Sequence, residues 1–491
     1  MLRALVGAVT LGTAVSAGAQ AAPPASPAAL RSEPFTLKAY DGRERAAERV
    51  RLTVPADPAA PLRTFELVFL RLKGPTAAAR PPIVFLMGGP GVPATVIAPI
   101  PPYFTLFSRL AEGGDVILLD QRGLGESSPK SDCPAATAPL PAGLFETSAA
   151  LVAAFADNYR ACAASLAPRA RPSDFTIERV ADDVEAIRAA LGVPQVDLLG
   201  FSFGSRIALE VVRRHPTRIR RMVLQGVLGL ETLRAPSLDD AVFTRFAGIA
   251  EAQAQAKGLA PSLAQSVRQI QQRATKAPIP LTIQTVKGEA RPLAIGRDVF
   301  DALILAHLAD PSMAAVLTTA AAEDYSLLVP WAQGLYQDLE NGAGSLMARV
   351  QVCSVASPEA SRRRAAREAP TTLLGEALDN QMQAPAFCQV FGVTPPSAQP
   401  AIRSRVPTLL ISGTHDPRTP PNRAEQTKRD LALAEHAIVQ NGGHELLPVP
   451  EVQTLVLAFL DNRPERIPIA TAPPEVRTIE EARKPPRRPG R

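Results

Sequence analysis

Short apolar runs bounded by Gly, Pro or Asp recur along the chain. The clearest is 83–87, which Pro81 and Pro82 introduce and Gly88 ends. A continuous apolar run of this length between two breakers is typical of a strand that is buried on both faces of a parallel sheet. A β-type run lies earlier, at 65–70, and similar runs predict further strands at 116–119, 196–199, 222–224, 408–411 and 437–439.

An amphipathic helix is predicted at 176–191, between two of these runs. Thr176 can act as its N-cap and Gly192 ends it. Its apolar residues recur at steps of three or four and form one stripe, which consists of Ile177, Val180, Val184, Ile187 and Leu191. The alternation of strands and helices predicts an α/β fold, with a mostly parallel central sheet and helices on both faces.

The sheet pattern is interrupted at 227–400, where the sequence is rich in Ala and mostly helical in character. The pattern resumes near Arg405, so the core is divided into 35–226 and 401–463. Ligands of open α/β sheets bind at the carboxyl ends of the strands. We therefore predict that 227–400 forms a helical lid over such a site.

Both ends of the chain are expected to lie outside this core. Residues 1–21 combine a basic start, a short apolar run and small residues of the A-x-A type, which predicts a signal peptide and a periplasmic or secreted protein. An uncleaved amphipathic N-terminus is the alternative. The run is too short for a comfortable membrane span, and no later stretch predicts one. We expect 22–34 to be a flexible lead-in and 464–491, with repeated Pro and Arg, to be disordered.

Charge gives little indication of a macromolecular partner. The net charge is +6, with 53 Lys and Arg interspersed among 47 Asp and Glu. No basic helix or ladder of basic and aromatic residues stands out, so a solvated surface is expected and nucleic acid is not an expected partner.

Four cysteines are present, Cys133, Cys162, Cys353 and Cys388. They lack C-x-x-C spacing and a nearby His, so no metal site is expected. An even count in an exported protein favours disulfides. Three pairings are possible, of which Cys133–Cys162 with Cys353–Cys388 is the simplest; four buried free thiols are the alternative.

The segment Gly200-Phe201-Ser202-Phe203-Gly204 carries the clearest chemistry. A G-x-S-x-G sequence between a strand and a helix places a serine on a tight turn, with its hydroxyl exposed above the sheet. The pentapeptide alone occurs by chance, but the strand at 196–199 and the helical pattern after it supply the expected context. We predict that Ser202 is a nucleophile rather than a structural serine of a loop.

A serine nucleophile needs a base, and the base needs an orienting carboxylate. His444 follows the last predicted strand and the Gly442-Gly443 turn, whereas His415 is the main competitor. Asp416 follows the strand at 408–411, between Ser202 and His444 in the chain. Ser202, Asp416 and His444 thus each follow a different strand, which would let them converge; a turn-forming Asp before Pro417 is the other interpretation of Asp416.

Two backbone amides are expected to stabilise the oxyanion. The amide of Phe203 follows the nucleophile directly. Gly89 is the second choice, because the glycine-rich loop at 88–91 lets the backbone approach a substrate. A simple β-turn is the alternative for that loop.

Three segments resemble the α/β-hydrolase fold family, and within it the proline iminopeptidases and secreted tripeptidyl aminopeptidases. Residues 87–91 (MGGPG) are similar to their H-G-G-P-G loop, 120–127 (DQRGLGES) to their D-Q-R-G-x-G-x-S segment, and 413–420 to their catalytic-Asp loop. The resemblance implies the same triad and oxyanion donors, no metal or cofactor, and release of short peptides from a free N-terminus. Met87, Phe203 and Ser205 depart from the common pattern.

An aminopeptidase of this kind implies acidic lid residues that bind the substrate's ammonium group. Glu323 and Asp324 are the candidates, and carboxylates on the surface of a helix are the other interpretation of them. Val355 stands where an acid was expected. The resulting prediction is an exported serine aminopeptidase acting on a short peptide or other small acyl substrate. A carboxylic-ester hydrolase with the same triad is the alternative, and a non-catalytic binding protein on the same fold is an alternative of another class.

Overall fold

The computed structural model describes residues 30–136, 138–141, 143–229, 233–398, 402–463 and 468–484. The predicted signal peptide, 1–21, lies outside the described residues. Within them, no helix combines the length and the apolar character needed to cross a membrane.

The described part of the chain contains eleven strands and seventeen α-helices. The strands are β1 (Arg31–Lys38), β2 (Glu44–Pro55), β3 (Thr64–Leu72), β4 (Ile83–Leu86), β5 (Val116–Asp120), β6 (Val196–Phe201), β7 (Ile219–Gln225), β8 (Ile279–Gln284), β9 (Ala290–Ile295), β10 (Thr408–Gly413) and β11 (Ala434–Val439). The helices are α1 (Ala94–Ile97), α2 (Pro101–Ala111), α3 (Ser148–Leu166), α4 (Ile177–Ala190), α5 (Phe203–Arg214), α6 (Pro236–Lys257), α7 (Leu263–Lys276), α8 (Arg297–Ala306), α9 (Met313–Ala321), α10 (Val329–Glu340), α11 (Leu346–Cys353), α12 (Glu359–Glu368), α13 (Leu378–Gln381), α14 (Pro385–Gln389), α15 (Pro421–Lys428), α16 (Pro450–Leu460) and α17 (Ile479–Arg483).

Nine strands form one sheet in the order β1-β2-β3-β5-β4-β6-β7-β10-β11. From β5 to β11 the neighbours are parallel, whereas β1, β2 and β3 extend the sheet antiparallel at one edge. Because β6, β10 and β11 run in the same direction, the loops that follow them meet at one edge of the sheet. The predicted mostly parallel sheet with flanking helices is confirmed.

Helices cover both faces of the sheet because the central strands are apolar on both sides. One face packs against α4 and α5 through residues such as Val184 and Leu209, which are fully buried. The other packs against α2 and α16 through residues such as Phe107 and Val456. Thr176 occupies the N-cap of α4 as predicted, but its side chain makes no capping hydrogen bond.

Helices α6–α14 lie between β7 and β10 in the chain, where the lid is predicted. The sequence analysis missed the antiparallel hairpin β8–β9 inside this segment. The hairpin follows a period of two, with Ile279, Leu281 and Ile283 buried and the residues between them exposed. Burial of every second residue favours a strand over a helix. The sequence analysis missed this alternation because it is short and the surrounding sequence is rich in Ala and helical in character.

Two predictions for the chain ends are corrected. Strand β1 begins at Arg31 and pairs with β2, so the flexible lead-in does not extend to residue 34. In the tail, Ile469 and Val476 are buried, and Thr478 caps α17 with a reciprocal capping box to Glu481. Burial of these apolar side chains orders a segment whose composition alone indicated disorder.

Candidate active site

Ser202 lies on a sharp turn between β6 and α5. Its backbone has φ 53° and ψ −120°, a conformation that residues other than glycine rarely adopt. The turn is possible because Gly200 and Gly204, two residues away on either side, lack side chains: a Cβ on Gly204 would lie 1.8 Å from the carbonyl oxygen of Leu86. The conformation directs the Ser202 hydroxyl away from the sheet and into a cavity that Ser202 lines.

Ser202, His444 and Asp416 meet above the carboxyl edge of the sheet. His444 Nε2 lies 3.0 Å from Ser202 Oγ. On the other side of the ring, His444 Nδ1 lies 2.9 Å from Asp416 Oδ2 and 3.0 Å from Oδ1. The structure therefore brings together the three residues that the sequence placed after β6, β10 and β11, in hydrogen-bonding order.

Asp416 is buried but well supplied with donors. The amides of Arg418 and Thr419 donate to Oδ1 at 2.8 Å each, and the Thr419 hydroxyl donates to Oδ2 at 2.5 Å. Burial by itself raises the pKa of Asp416, but the hydrogen bond and the attraction of His444, together with Thr419, bring the pKa below its ordinary value. The carboxylate is thus ionised at neutral pH and can orient the imidazole.

Gln225, at the end of β7, holds the histidine loop to the nucleophile turn. Its backbone carbonyl accepts from Ser202 N at 2.8 Å, and its side-chain amide donates to the carbonyl of His444 at 2.8 Å. The side-chain oxygen also accepts from Leu446 N at 3.4 Å. The sequence analysis missed this residue, since the one available signal was a polar residue that ends an apolar run.

Ser205 fixes the same turn from the helix side. Its hydroxyl donates to the carbonyl of Ser202 at 2.6 Å and accepts from Leu228 N at 2.9 Å. The side chain is fully buried. Ser205 stands where a glycine was expected, and its hydroxyl thus links the turn to the segment after β7 through two hydrogen bonds.

The loop at 88–91 lies directly against the nucleophile. A Cβ on Gly88 would lie 2.7 Å from Ser202 Cβ and 3.1 Å from the amide nitrogen of Phe203, so a side chain there would fill the reaction centre. Gly89 and Phe203 both line the cavity with Ser202. Their amides donate to no group in the described part of the chain, which leaves both available to a substrate oxygen.

The D-Q-R-G-L-G-E-S segment supports that loop from below. Gln121 donates from its side chain to the carbonyl of Met87 at 3.2 Å, and Asp120 accepts from the amide and hydroxyl of Thr95. Both ends of the 88–94 segment are thereby anchored. Arg122 does not reach the site: it is buried and forms an ion pair with Asp183 at 2.6 Å.

The cavity above Ser202 has a volume of about 760 Å³. The core contributes the loops at 89–91 and 202–203, and the segment between β7 and β10 contributes residues of α8, α11 and α13, so both parts of the chain line the cavity. The described residues that line it include two carboxylates, Asp132 and Asp379. They also include five arginines: Arg206, Arg234, Arg349, Arg418 and Arg423.

The prediction that Glu323 and Asp324 bind the substrate's amine is corrected. Both follow α9 on the surface, where Glu323 lies 3.6 Å from Arg273 and Asp324 lies 3.0 Å from Arg483. Neither lines the cavity of Ser202. The sequence showed two carboxylates at these positions, but not that they follow the end of α9 on the surface.

His415, the competing base, also stays apart from Ser202. Its Nδ1 lies 3.1 Å from the hydroxyl of Thr414, and it lines a separate cavity of about 280 Å³ behind His444. Burial, with the positive charge of Arg245, lowers the pKa of His415.

Two disulfides join Cys133 to Cys162 and Cys353 to Cys388. The nearest-neighbour pairing is therefore confirmed, and the alternative of free thiols is excluded for these four cysteines. The first disulfide ties the cavity rim to α3, and the second ties α11 to α14.

Residues 81–449 match the family described as alpha/beta hydrolase fold. The chain belongs to this family. The Escherichia coli protein YuaR is 29% identical over 154 residues, which are 31% of this chain and 29% of YuaR. The serine protease Hip1 of Mycobacterium tuberculosis is 29% identical over 273 residues, which are 49% of this chain and 50% of Hip1. The chain thus spans half or less of the length of these relatives.

Among solved structures, the proline iminopeptidase of Mycobacterium smegmatis aligns with this chain over 84% of this chain and 98% of the iminopeptidase. The two are 16% identical in sequence, and the TM-score is 0.37. The family match identifies the chain as an α/β hydrolase with peptidase relatives.

Proposed function

We propose that this α/β hydrolase works through an acyl-enzyme on Ser202. The observation that carries the proposal is the chain of hydrogen bonds from Ser202 Oγ to His444 and on to Asp416, at 3.0 Å and 2.9 Å. His444 Nε2 takes the hydroxyl proton as Oγ attacks the substrate carbonyl, and Asp416 stabilises the imidazolium that forms.

The negative charge that develops on the carbonyl oxygen is proposed to be bound by the amides of Phe203 and Gly89. Both line the cavity next to Ser202 and have no other acceptor in the described residues. Donors of this kind that are already in place each lower the barrier by about 3–4 kcal/mol. His444 then returns its proton to the leaving group, which leaves the acyl group bound to Ser202 as an ester. A water molecule attacks this ester while His444 takes its proton, and His444 returns the proton to Ser202 Oγ as the acid product leaves.

The substrate is proposed to be a short peptide with a free N-terminus. A cavity of about 760 Å³ beneath the lid suits a molecule of drug size and not a folded chain. The resemblance to aminopeptidases and the name of the relative Hip1 support a peptidase. Asp379 and Asp132, which line the cavity and form no ion pair with another described residue, take the place of Glu323 and Asp324 as candidate partners of the ammonium group.

A carboxylic-ester hydrolase remains the second candidate, favoured by the composition of the cavity wall. Arginines outnumber carboxylates among its described residues, and Val355, where an acid was expected, is a buried apolar residue. An ester substrate has no ammonium group that needs a carboxylate partner, so it could bind in a cavity whose wall carries more arginines than carboxylates.

Export is proposed from the sequence of residues 1–21 and from the two disulfides. Disulfides persist in the periplasm and outside the cell, whereas the cytosol keeps thiols reduced.

An amine-blocking experiment separates the two candidates. We expect kcat/KM for an alanyl or short-peptide arylamide to fall about ten- to a hundredfold on N-acetylation, since a charged hydrogen bond contributes about 1.5–3 kcal/mol. Asp379→Asn should produce a similar loss on the free-amine substrate, and Asp132→Asn tests the second carboxylate.

Glu323→Gln is the matched control, because this carboxylate lies outside the cavity. Equal cleavage of free and acetylated arylamides, or turnover of a nitrophenyl ester alone, would overturn the aminopeptidase and leave the ester hydrolase.

A further inference from the structure

Among the residues that the structure describes, Arg349 is a cation without an anionic partner, and it lies in the wall of the reaction cavity. Its guanidinium forms no hydrogen bond or ion pair with any described residue, and its buried Nε has no acceptor. It lies over two aromatic rings instead, 5.3 Å from the centroid of Tyr159 and 5.8 Å from that of Phe387. Cation–π contacts offset part of the cost of removing a cation from water, but they leave the buried Nε without an acceptor.

Both disulfides hold this arrangement in place. Arg349 lies one helical turn before Cys353, whose partner Cys388 is adjacent to Phe387. Tyr159 lies three residues before Cys162, and its hydroxyl donates to the carbonyl of Ala343 at 2.7 Å. The guanidinium and its two aromatic supports are therefore each fixed within one turn of a cross-link. A side chain held in this way loses little conformational entropy when it binds a ligand.

The arginine also lies close to the reaction centre. Ser345 caps the start of helix α11, where its hydroxyl accepts from Ala348 N at 3.2 Å. Ala348 packs on the loop at 88–91, because a Cβ on Gly91 would lie 3.0 Å from Ala348 Cβ. Arg349 is the next residue, so a ligand on its guanidinium would be within a small molecule's length of Ser202.

Other charges on the wall do not neutralise Arg349. Asp132 and Asp379 form no ion pair within the described residues, and neither lies within ion-pair distance of Arg349. Arg234 is already paired with Asp239 and donates to the carbonyl of Pro417. Arg418 adds a second, exposed cation to the same wall. The electrostatic potential in the cavity thus favours a negatively charged group.

We propose that Arg349 binds a carboxylate of the substrate and makes the enzyme selective for acidic substrates. The planar guanidinium presents paired donors that match the two oxygens of a carboxylate. The inference rests on the proposed serine hydrolase, and it is compatible with either a peptide or an ester, because each can carry a carboxylate beside the bond that is cleaved.

Matched pairs of substrates test the proposal with the full chain. The nitrophenyl monoester of glutaric acid and its neutral methyl ester place the carboxylate on the acyl side. A tripeptide and its C-terminal amide place it on the leaving side. We expect at least one acidic member to be preferred by about ten- to a hundredfold in kcat/KM, as for a charged hydrogen bond.

The ratio of acidic to neutral kcat/KM is the readout for variants. Arg349→Gln should reduce this ratio to near one, and Arg349→Lys should restore part of it. Arg160→Gln is the matched control, because this arginine is exposed on the helix of Tyr159, pairs with Asp157 and lies outside the cavity. A thermal melt of each variant separates loss of the fold from loss of selectivity.

Anion competition identifies the chemistry of the site. Glutarate should inhibit the wild type more strongly than inorganic phosphate does, and Arg349→Gln should abolish the difference. Stronger inhibition by phosphate would overturn the carboxylate assignment. A wild type that hydrolyses neutral esters without any acidic preference, or a ratio that Arg349→Gln leaves unchanged, would refute the inference and leave the proposed function standing. Failure to turn over any member of the set would count against the proposed function itself.

Discussion

Replacing Gln225 by leucine tests whether the end of β7 positions the catalytic histidine. Leucine keeps the approximate volume of the side chain and removes its amide. The variant loses the 2.8 Å bond to the carbonyl of His444 and the weaker 3.4 Å bond from Leu446 N. The carbonyl of His444 is then left without this donor in a half-buried position.

The magnitude follows from these two contacts. An unsatisfied buried acceptor costs about 1–3 kcal/mol, and the 3.4 Å contact adds little. The cost falls on the loop that sets the 3.0 Å separation between His444 Nε2 and Ser202 Oγ. Since a displacement of about 1 Å in a reacting group can cost a hundredfold in rate, we expect kcat to fall about ten- to a hundredfold. KM should change little, because Gln225 does not line the cavity.

Steady-state kinetics with a nitrophenyl ester measures both constants, and circular dichroism checks the fold. Gln195→Leu is the matched control: that side chain also donates to a backbone carbonyl, of Thr217 at 3.1 Å, but at the opposite end of β6. A Gln225→Leu protein with wild-type kcat, or one in which KM alone changes, would refute the positioning role.

Two further predictions concern stability. Burial raises the pKa of Asp301 to about 7 from an unfolded value of 3.8; between these values the unfolded state binds fewer protons, so stability should fall by about 3–4 kcal/mol as pH rises from 4 to 7. Asp301→Asn should remove this loss and therefore raise the Tm more at pH 8 than at pH 4. Asp157→Asn, at an exposed position, is the control. An equal shift of the Tm at both pH values, or the same gain from the control, would contradict the assignment of this pH dependence to Asp301. The disulfide between Cys353 and Cys388 closes a loop of 35 residues, so replacing both cysteines by serine should lower the free energy of unfolding by about 3–4 kcal/mol in chemical denaturation; an unchanged midpoint would show that the cross-link adds no stability.

The parts of the site that local sequence determines were predictable. Strands β4, β6 and β10 lie in short, largely apolar runs that a glycine ends. Because the strands of a parallel sheet run in the same direction, the residues that follow β6 and β10, Ser202 and Asp416, lie at one edge. Pairing each cysteine with its nearest neighbour in the chain was the simplest of three possibilities, and the structure confirms it.

The parts that depend on packing were not predictable. Whether Glu323 faces the cavity is decided by how α9 packs in the lid, and nothing local records it. The sequence analysis did not single out Arg349, because the two aromatic rings that it contacts, those of Tyr159 and Phe387, are distant from it in the chain. Gln225 gains its role from a loop more than 200 residues later in the chain, a separation that no periodicity reveals.

Covalent labelling with a fluorophosphonate probe tests the central claim most directly. The probe reacts with a serine hydroxyl only where a base and an oxyanion site activate it. We expect a single adduct that peptide mapping assigns to Ser202, and Ser202→Ala should abolish labelling and turnover while the far-ultraviolet circular dichroism and the Tm stay close to wild type. An adduct on another residue, or an Ala variant that keeps full activity, would contradict the assignment of Ser202 as the nucleophile.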